Sequence, residues 1–182
     1  MKFHIYTWIA VVVLGAMTAT GAAQTWDATK DFGPVNPNGS WSYGMGITGT
    51  SFTLYSAYLP TCDVSGNVCW SGEVERTAPR VAFNTTGNWL NDTTAVLPPN
   101  TLTLHPGPDY GQDTIVQWTA PAAGTYTIYG FFEICDISPT GTFGLIFLNR
   151  ARCTSGNWTV HLHNKIPIRL VAGRISICPN WS

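Results

Sequence analysis

Polar and apolar residues alternate along the stretch 125–134, which is typical of a β-strand with one buried face. The stretch 114–119 precedes it and is rich in β-branched and aromatic residues, and the connection between the two contains Pro121 and Gly124. This order predicts a strand, a turn and a second strand, that is, a hairpin. A third strand is expected at 143–148, which would complete a meander. The residues expected on the buried face of 125–134 are Tyr126, Ile128, Phe132 and Ile134, with Thr125, Thr127 and Glu133 on the opposite face.

Shorter patterns predict strands in the first half of the chain as well. Trp41 and Tyr43 are expected on one side of a strand, and a short strand follows at 52–54. A further strand is expected at 102–104, whereas residues 56–100 are expected to be irregular.

A meander with one apolar face needs a second layer to cover that face. The sequence therefore predicts an all-β fold, a two-sheet antiparallel β-sandwich over residues 24–149, with no helix of three turns inside it. The residues expected in its core are Trp118, Tyr126, Ile128, Phe132, Leu145 and Phe147.

The first 23 residues have the pattern of a secretory signal peptide. Lys2 precedes an apolar run at 5–17, and small residues follow up to Ala23. A transmembrane anchor is the alternative, but the run is shorter than the roughly 20 apolar residues that a bilayer crossing needs. We expect cleavage near Ala23 and a secreted or cell-surface chain without a membrane span.

Charged residues make up only 10% of the chain, which suits an exported β-sheet protein better than a helical bundle. The formal net charge of −1 gives no reason to expect a nucleic-acid partner.

The five cysteines are consistent with an oxidising compartment. Cys62 and Cys69 enclose a short loop with Gly66 and Asn67, residues that permit a tight reversal, so we predict a disulfide between them. The remaining three cysteines, Cys135, Cys153 and Cys178, leave the pairing of any second bridge open.

Candidate catalytic residues form no recognisable motif. His105 is interpreted as a turn residue, and His161 and His163 lack an evident third metal ligand. Asp109 and Asp113 share a loop but lack the spacing of an EF-hand calcium site. The acidic residues that could supply a carboxyl pair for glycoside hydrolysis are Glu73, Glu75, Asp109, Asp113, Glu133 and Asp136. Any acidic domain offers as many, so we expect no enzyme activity and no metal.

The glycines at 44, 46 and 49 formally match a dinucleotide-binding fingerprint. That motif needs a helix after it to hold the pyrophosphate, and the residues after it alternate as a strand instead. We therefore predict a turn at 44–49 and no cofactor.

Three aromatic residues, Trp70, Trp89 and Tyr110, lie in polar, loop-like contexts. An exposed ring can stack on the apolar face of a sugar while amides such as those of Asn88 and Asn91 bind its hydroxyls. These rings are therefore candidate ligand-binding residues, with extracellular polysaccharide as the expected partner. The alternative is that they cap the core of the sandwich.

Two blocks of sequence resemble a family of exported bacterial β-sandwich proteins, many of which carry a PEP-CTERM sorting tail. The first block is Asp31-Phe followed by Asn36-Pro-Asn-Gly-Ser-Trp-Ser-Tyr-Gly44, and the second is Leu104-His-Pro-Gly107 followed by Val116-Gln-Trp-Thr-Ala-Pro-Ala-Ala-Gly-Thr-Tyr-Thr-Ile128. The resemblance implies a jelly-roll or lectin-like sandwich, similar to a carbohydrate-binding module, at the cell surface. It implies no catalytic residues, because members of the family mostly lack an assigned activity. This chain departs from the family pattern in that its last residues contain no Pro-Glu-Pro motif or apolar anchor.

The resemblance and the composition together predict a secreted or cell-surface protein, non-catalytic, with a structural role in the extracellular matrix. A carbohydrate-binding module is the alternative, and a glycan hydrolase is a second and weaker one.

The charge balance changes abruptly at Arg150. Residues 24–149 contain ten acidic and three basic residues, a net charge of −7, whereas residues 150–182 contain five basic residues and no acidic one. One hypothesis is a basic segment that meets an anionic surface. The five charges are scattered through apolar sequence, however, so we favour the hypothesis that 150–182 is an atypical basic segment that is read out of frame.

If that hypothesis is right, the segment should pack loosely and leave one sandwich edge poorly covered. Its histidines and cysteines would then have no selected role. The encoding DNA tests the hypothesis, because another frame after codon 149 would have to contain a β-patterned continuation.

Overall fold

The structure, a computed structural model, describes residues 24–47, 50–72, 79–109, 111–130, 132, 135–136, 142–148, 151–153, 156–162 and 167–174. Within these residues, all regular structure is β-strand. The strands are β1 (Trp41–Gly46), β2 (Thr53–Leu54), β3 (Ala57–Leu59), β4 (Asn67–Ser71), β5 (Arg80–Asn84), β6 (Leu90–Asp92), β7 (Ala95–Leu97), β8 (Leu102–His105), β9 (Asp113–Thr119), β10 (Gly124–Gly130), β11 (Thr142–Leu148), β12 (Ala151–Cys153), β13 (Gly156–Leu162) and β14 (Pro167–Arg174). The predicted signal peptide at 1–23 lies outside the described residues. No helix in the described part of the chain is long and apolar enough to cross a membrane.

All strand pairings are antiparallel. The largest sheet has the order β12-β11-β14-β9-β1-β2, and a second sheet has the order β3-β4-β5-β8. Two smaller sheets pair β10 with β13 and β6 with β7. The predicted all-β antiparallel fold class is confirmed.

The core lies between the two larger sheets. Tyr43 on β1 stands opposite Val116 on β9, and both belong to one buried cluster with Trp70 of β4 and Val81 of β5. Each sheet therefore covers the apolar face of the other, which is the arrangement of a two-layer sandwich. Trp41 is also in this cluster, so the prediction that it shares a side with Tyr43 is confirmed.

Aromatic rings extend the core toward β10. The ring of Trp26, from the N-terminal arm, lies 5.3 Å from that of Trp118 and 5.8 Å from that of Tyr126, and the last two are 5.1 Å apart. Such edge-to-face pairs contribute about 0.5–1.5 kcal/mol each beyond the burial of their area.

The predicted alternation at 125–134 holds where the structure describes it. Tyr126 and Ile128 are half-buried and pack on the core, as does Phe132, while Thr125 and Thr127 are exposed. Trp118 is buried, as predicted. The predictions for Glu133, Ile134 and the side chains of Leu145 and Phe147 concern positions outside the described part.

Strands β9, β10 and β11 lie in the stretches predicted for them, 114–119, 125–134 and 143–148, but the predicted hairpin and meander are wrong. β9 pairs with β1 on one side and β14 on the other, so neither of its edges is available to β10. β10 pairs with β13 instead, and the connection at 120–123 carries the chain out of the large sheet.

The expectation of irregular structure at 56–100 is also wrong. Strands β3, β4 and β5 lie in this stretch, together with the β6–β7 hairpin. These strands have three to five residues each and several polar positions, so their alternation is too short to stand out from the loops.

The glycine pattern at 44–49 does not form the predicted turn at its start. Gly44 and Gly46 lie in β1, and a Cβ atom on Gly44 would collide with the carbonyl oxygen of Thr53 on the neighbouring strand. Glycine is needed there because two backbones approach closely. Gly49 lies outside the described residues.

The large sheet extends past the predicted limit at residue 149. β14 lies between β11 and β9, in the interior of this sheet. Arg169 of β14 is half-buried; its Nε donates a hydrogen bond of 2.9 Å to Gln117, and its guanidinium lies 5.4 Å from the ring centre of Phe52. The expected loose packing of 150–182 is therefore wrong at this residue, while the reading frame of the segment stays a prediction.

Two buried tyrosines make the stability of the core sensitive to alkaline pH. Burial raises the pKa of both Tyr43 and Tyr55 above the usual tyrosine value, an effect that the charge of Asp31 increases at Tyr43. At Tyr55 the hydrogen bond with Thr114 and the charge of Arg80 oppose the rise without cancelling it. The folded state therefore keeps two protons that the unfolded state releases above about pH 10.

We predict that the free energy of unfolding falls above about pH 10, by up to about 1.4 kcal/mol per pH unit for each tyrosine. Tyr55→Phe should remove the contribution of Tyr55, so that the free energy of unfolding of the variant falls less steeply with pH than that of the wild type. At neutral pH the variant should be less stable by about 1 kcal/mol, because the hydrogen bond to Thr114 is missing. Urea unfolding of both proteins across this pH range measures the slopes. Equal slopes would show that Tyr55 does not contribute.

Candidate functional site

Of the three rings predicted to bind a ligand, Trp70 is part of the core. It lies in β4 with 6% of its surface exposed, and its Nε1 donates a hydrogen bond of 2.8 Å to the carbonyl oxygen of Gly33. Its ring lies 5.2 Å from that of Tyr58. The prediction that Trp70 is a loop residue is therefore wrong, and the alternative of a core ring describes it. Tyr110 lies outside the described residues.

Trp89 has the environment expected of a binding residue. It directly precedes β6 and is 64% exposed, although it is one of the largest apolar side chains in the protein. The amide side chains named with it, those of Asn88 and Asn91, are exposed as well. The three residues, close together in the chain, are thus all exposed.

The register of the β6–β7 hairpin explains this exposure. Asn91 pairs with Val96, and these two residues are exposed, with Val96 at 36%. Extending the alternation of β6 by one residue, to Trp89 directly before the strand, places Trp89 on the same face as Asn91. We call Trp89, Asn91 and Val96 the outer hairpin face. The residues of the opposite, more buried face are Leu90, Asp92, Ala95 and Leu97.

Asn84 at the end of β5 fixes the base of the hairpin. Its side chain is buried, and its Nδ2 is within donor distance of the carbonyl oxygens of Asn88, Leu97 and Pro98, at 2.7, 3.2 and 3.0 Å. Its Oδ1 accepts hydrogen bonds from the amide and the hydroxyl of Thr86. One side chain therefore holds the loop before Trp89 and the end of β7.

A buried ion pair fixes the turn of the hairpin. Arg80 is 7% exposed, and its Nη2 contacts the carboxylate of Asp63 and lies 3.9 Å from that of Asp92, the last residue of β6. Burial lowers the pKa of Arg80, while the two carboxylates favour its charged form. The side chains of Asp63 and Asp92 are 17% and 24% exposed, so these charges interact with little screening by water.

Backbone contacts fix the outer edge of the hairpin. The amide of Val96 donates a hydrogen bond of 2.8 Å to the carbonyl oxygen of Cys135, and Ala95 forms a bridge with Asp136. Cys135 is a free, half-buried cysteine, and burial raises the pKa of its thiol. The hairpin is thus attached to the rest of the fold at its base, its turn and its edge.

The predicted disulfide between Cys62 and Cys69 is confirmed. Both cysteines are fully buried, and their Cα atoms are 5.9 Å apart. The bridge closes the loop that carries Asp63, the partner of Arg80.

The other candidates for chemistry do not converge on a site in the described residues. His105 ends β8, and its Nδ1 lies 2.8 Å from the carbonyl oxygen of Pro106, as expected of a turn residue. Among the described residues there is no group of three or more His, Cys, Asp or Glu side chains that could hold a metal. Asp109 is exposed and Asp113 is half-buried in β9. Glu73, Glu75, Glu133 and His163 lie outside the described residues.

A cleft of about 800 Å³ lies elsewhere, between the N-terminal arm and the end of β9. Trp26, Trp41 and Asp31 line it, but their polar atoms serve the fold: Trp41 Nε1 donates a hydrogen bond of 3.0 Å to Asp31, which also accepts one from the amide of Asp27. Both rings are also packed on the core. We therefore take the outer hairpin face as the candidate site.

The sequence predicted Trp89, Asn88 and Asn91 as candidate residues, and the structure shows them exposed, but it gave no prediction for the residues that position them. Arg80 and Asn84 are buried, although arginine and asparagine are usually exposed. The only signal in the sequence was the position of both residues at the ends of a short apolar stretch, 81–83.

No family model, no curated protein and no solved structure matches this chain.

We predict that Asn84→Ala lowers the free energy of unfolding by about 2–4 kcal/mol, because it leaves several buried backbone groups without a partner. Asn88→Ala is a matched control in the same loop: its side chain is exposed and makes a single hydrogen bond, 3.3 Å long, to the carbonyl oxygen of Thr86. That control should cost less than about 1 kcal/mol. Chemical denaturation of the three proteins gives the values, and equal losses in both variants would refute the role assigned to Asn84.

Proposed function

We propose that this chain is a non-catalytic β-sandwich domain of an exported protein, which has a structural role at the cell surface or in the extracellular matrix by attaching to polysaccharide. The observation that carries the proposal is Trp89, 64% exposed on a hairpin that is held at its base, turn and edge. The Cys62–Cys69 disulfide supports export, because such bridges persist in oxidising compartments.

The chemistry of the outer hairpin face favours a neutral sugar. The Trp89 ring can cover the apolar face of a pyranose, and the Asn91 amide can donate to and accept from its hydroxyls. The one charged side chain of the hairpin, Asp92, is on the opposite face and is engaged by Arg80. A charged polysaccharide would find no counter-ion among Trp89, Asn91 and Val96.

The strength of such a site can be bounded. Covering roughly 60 Å² of apolar ring surface contributes about 1.5 kcal/mol. A few hydrogen bonds exchanged with water add about 1 kcal/mol each. The site should therefore be weak, with a Kd on the order of millimolar for one sugar chain. This strength suits attachment to a dense polymer better than capture of a free sugar.

The resemblance to exported proteins of the PEP-CTERM-sorted type agrees with this proposal, since it implies a lectin-like sandwich at the cell surface. The resemblance supports the proposed location of the protein. The class of ligand is inferred from the outer hairpin face alone.

A glycan array tests the proposal. We expect the domain, displayed as a tetramer so that weak sites act together, to bind one class of neutral polysaccharide without degrading it. Trp89→Ala should lower the affinity at least about tenfold, which corresponds to the loss of about 1.4 kcal/mol of ring contact.

Tyr129→Ala is the matched control, because Tyr129 is 72% exposed but lies on β10, which pairs with β13 in a different sheet from the hairpin. Its affinity should equal that of the wild type. Turnover of any glycan would favour a hydrolase, whereas an array without binding would leave a structural domain that does not use carbohydrate. An equal loss in both variants would contradict the assignment of the site to Trp89.

A further inference from the structure

The disulfide loop and the hairpin contact the same guanidinium group. Arg80 begins β5, and its Nη2 is the atom that contacts both the carboxylate of Asp63 and, at 3.9 Å, that of Asp92. Asp63 belongs to the loop closed by Cys62 and Cys69, whereas Asp92 belongs to the hairpin. Two elements that share no strand pairing are thus joined through one side chain.

The disulfide loop holds Asp63 in a fixed position. The amide of Cys62 donates a hydrogen bond of 2.6 Å to the carbonyl oxygen of Asn67, and the amide of Val64 donates one of 2.6 Å to that of Cys62. Asp63 itself has a φ of 57°, in the left-handed region that non-glycine residues seldom occupy. The loop therefore determines the backbone of Asp63, and with it the place of the carboxylate.

Arg80 depends on this carboxylate because it is buried. A buried cation that loses its partner is strongly unfavourable, since water cannot replace the lost interaction. Without Asp63, the guanidinium keeps the carboxylate of Asp92, 3.9 Å from Nη2, but loses its closer acidic contact. Opening of the hairpin would then let water solvate the guanidinium. The free energy of opening the hairpin is therefore lower without Asp63 than with it.

We propose that Arg80 is a positioning residue that couples the Cys62–Cys69 loop to the outer hairpin face. The disulfide sets Asp63, Asp63 holds Arg80, and Arg80 holds Asp92 on the inner side of β6. Because side chains alternate along β6, this contact also keeps Trp89 and Asn91 on the outer side. The importance of this coupling for binding rests on the proposed function, whereas the coupling itself does not.

Amide hydrogen exchange, followed by mass spectrometry on the full chain, tests the coupling. Asp63→Asn is the main variant, because asparagine tolerates the left-handed conformation and removes only the charge. Exchange in a peptide covering 90–97 should become faster by about tenfold, while exchange in β1 and β9 changes by less than about threefold. Asp92→Asn should accelerate exchange in 90–97 to a similar extent. The double variant should exceed either single variant by less than the product of the two effects, since both act on Arg80.

Asp109→Asn is the control for loss of one exposed carboxylate, and it should leave exchange in 90–97 unchanged. The variant that replaces both Cys62 and Cys69 by Ala should accelerate exchange in 90–97 while the β9 peptide stays protected. The proposal is overturned if Asp63→Asn leaves 90–97 unchanged, or if 90–97 and β9 accelerate equally, because that would mean global destabilisation.

The two proposals fail separately. Faster exchange in 90–97 with no glycan bound by the wild type would retain the coupling and remove the proposed function. If Asp63→Asn changes neither glycan binding nor exchange in 90–97, the proposed function is retained and the coupling is removed.

Discussion

The contact between the two large sheets, where Tyr43 and Val116 meet Trp70 and Val81, is the interaction on which the rest of the structure depends. Full burial of side chains of this size stabilises by about 1.5–3 kcal/mol each. It also fixes β4 and β5, from which the disulfide loop and the hairpin extend. A substitution in this layer would therefore displace the outer hairpin face, although the substituted residue is not part of that face.

Buried polar side chains provide the second level of organisation. Loops cannot satisfy their backbone groups with neighbouring strands, so side chains must do so. Asn36 bonds to the backbone of Tyr43 and Tyr55 and joins the N-terminal arm to β1. Asn84 bonds in the same way to the backbone at the base of the hairpin. Arg80 contacts the carboxylate of Asp92 beside the hairpin turn. A chain with so few charged residues thus uses amides as its main connectors.

The sequence predicted the parts of this fold that depend on local pattern. Alternation predicted a strand at 125–134, β-branched and aromatic residues predicted strands at 114–119 and 143–148, and the short loop predicted the Cys62–Cys69 bridge. Pairing could not be predicted, because β14 enters the sheet beside β9 from about 50 residues away along the chain. Local pattern contains no information on such a partner.

As with the fold, the sequence predicted those features of the candidate site that depend on local pattern. Trp89, with its neighbouring amides, is visible as an aromatic residue in a polar stretch, but Trp70 has a similar context and is buried. The difference comes from the pairing of β4 between β3 and β5, which is again non-local. Arg80 and Asn84 were missed because a polar residue type predicts exposure, and only the folded structure shows which polar groups surround them.

Chemical-shift mapping by NMR is the sharpest test of the proposed binding of polysaccharide at the outer hairpin face. The domain would be titrated with neutral oligosaccharides, with a polyuronate fragment as the charged comparison. We predict that the indole N–H of Trp89 and the side-chain amide of Asn91 shift with the neutral class to which the domain binds. Shifts confined to the cleft at Trp26 and Trp41, or no shifts with any neutral oligosaccharide, would contradict the account.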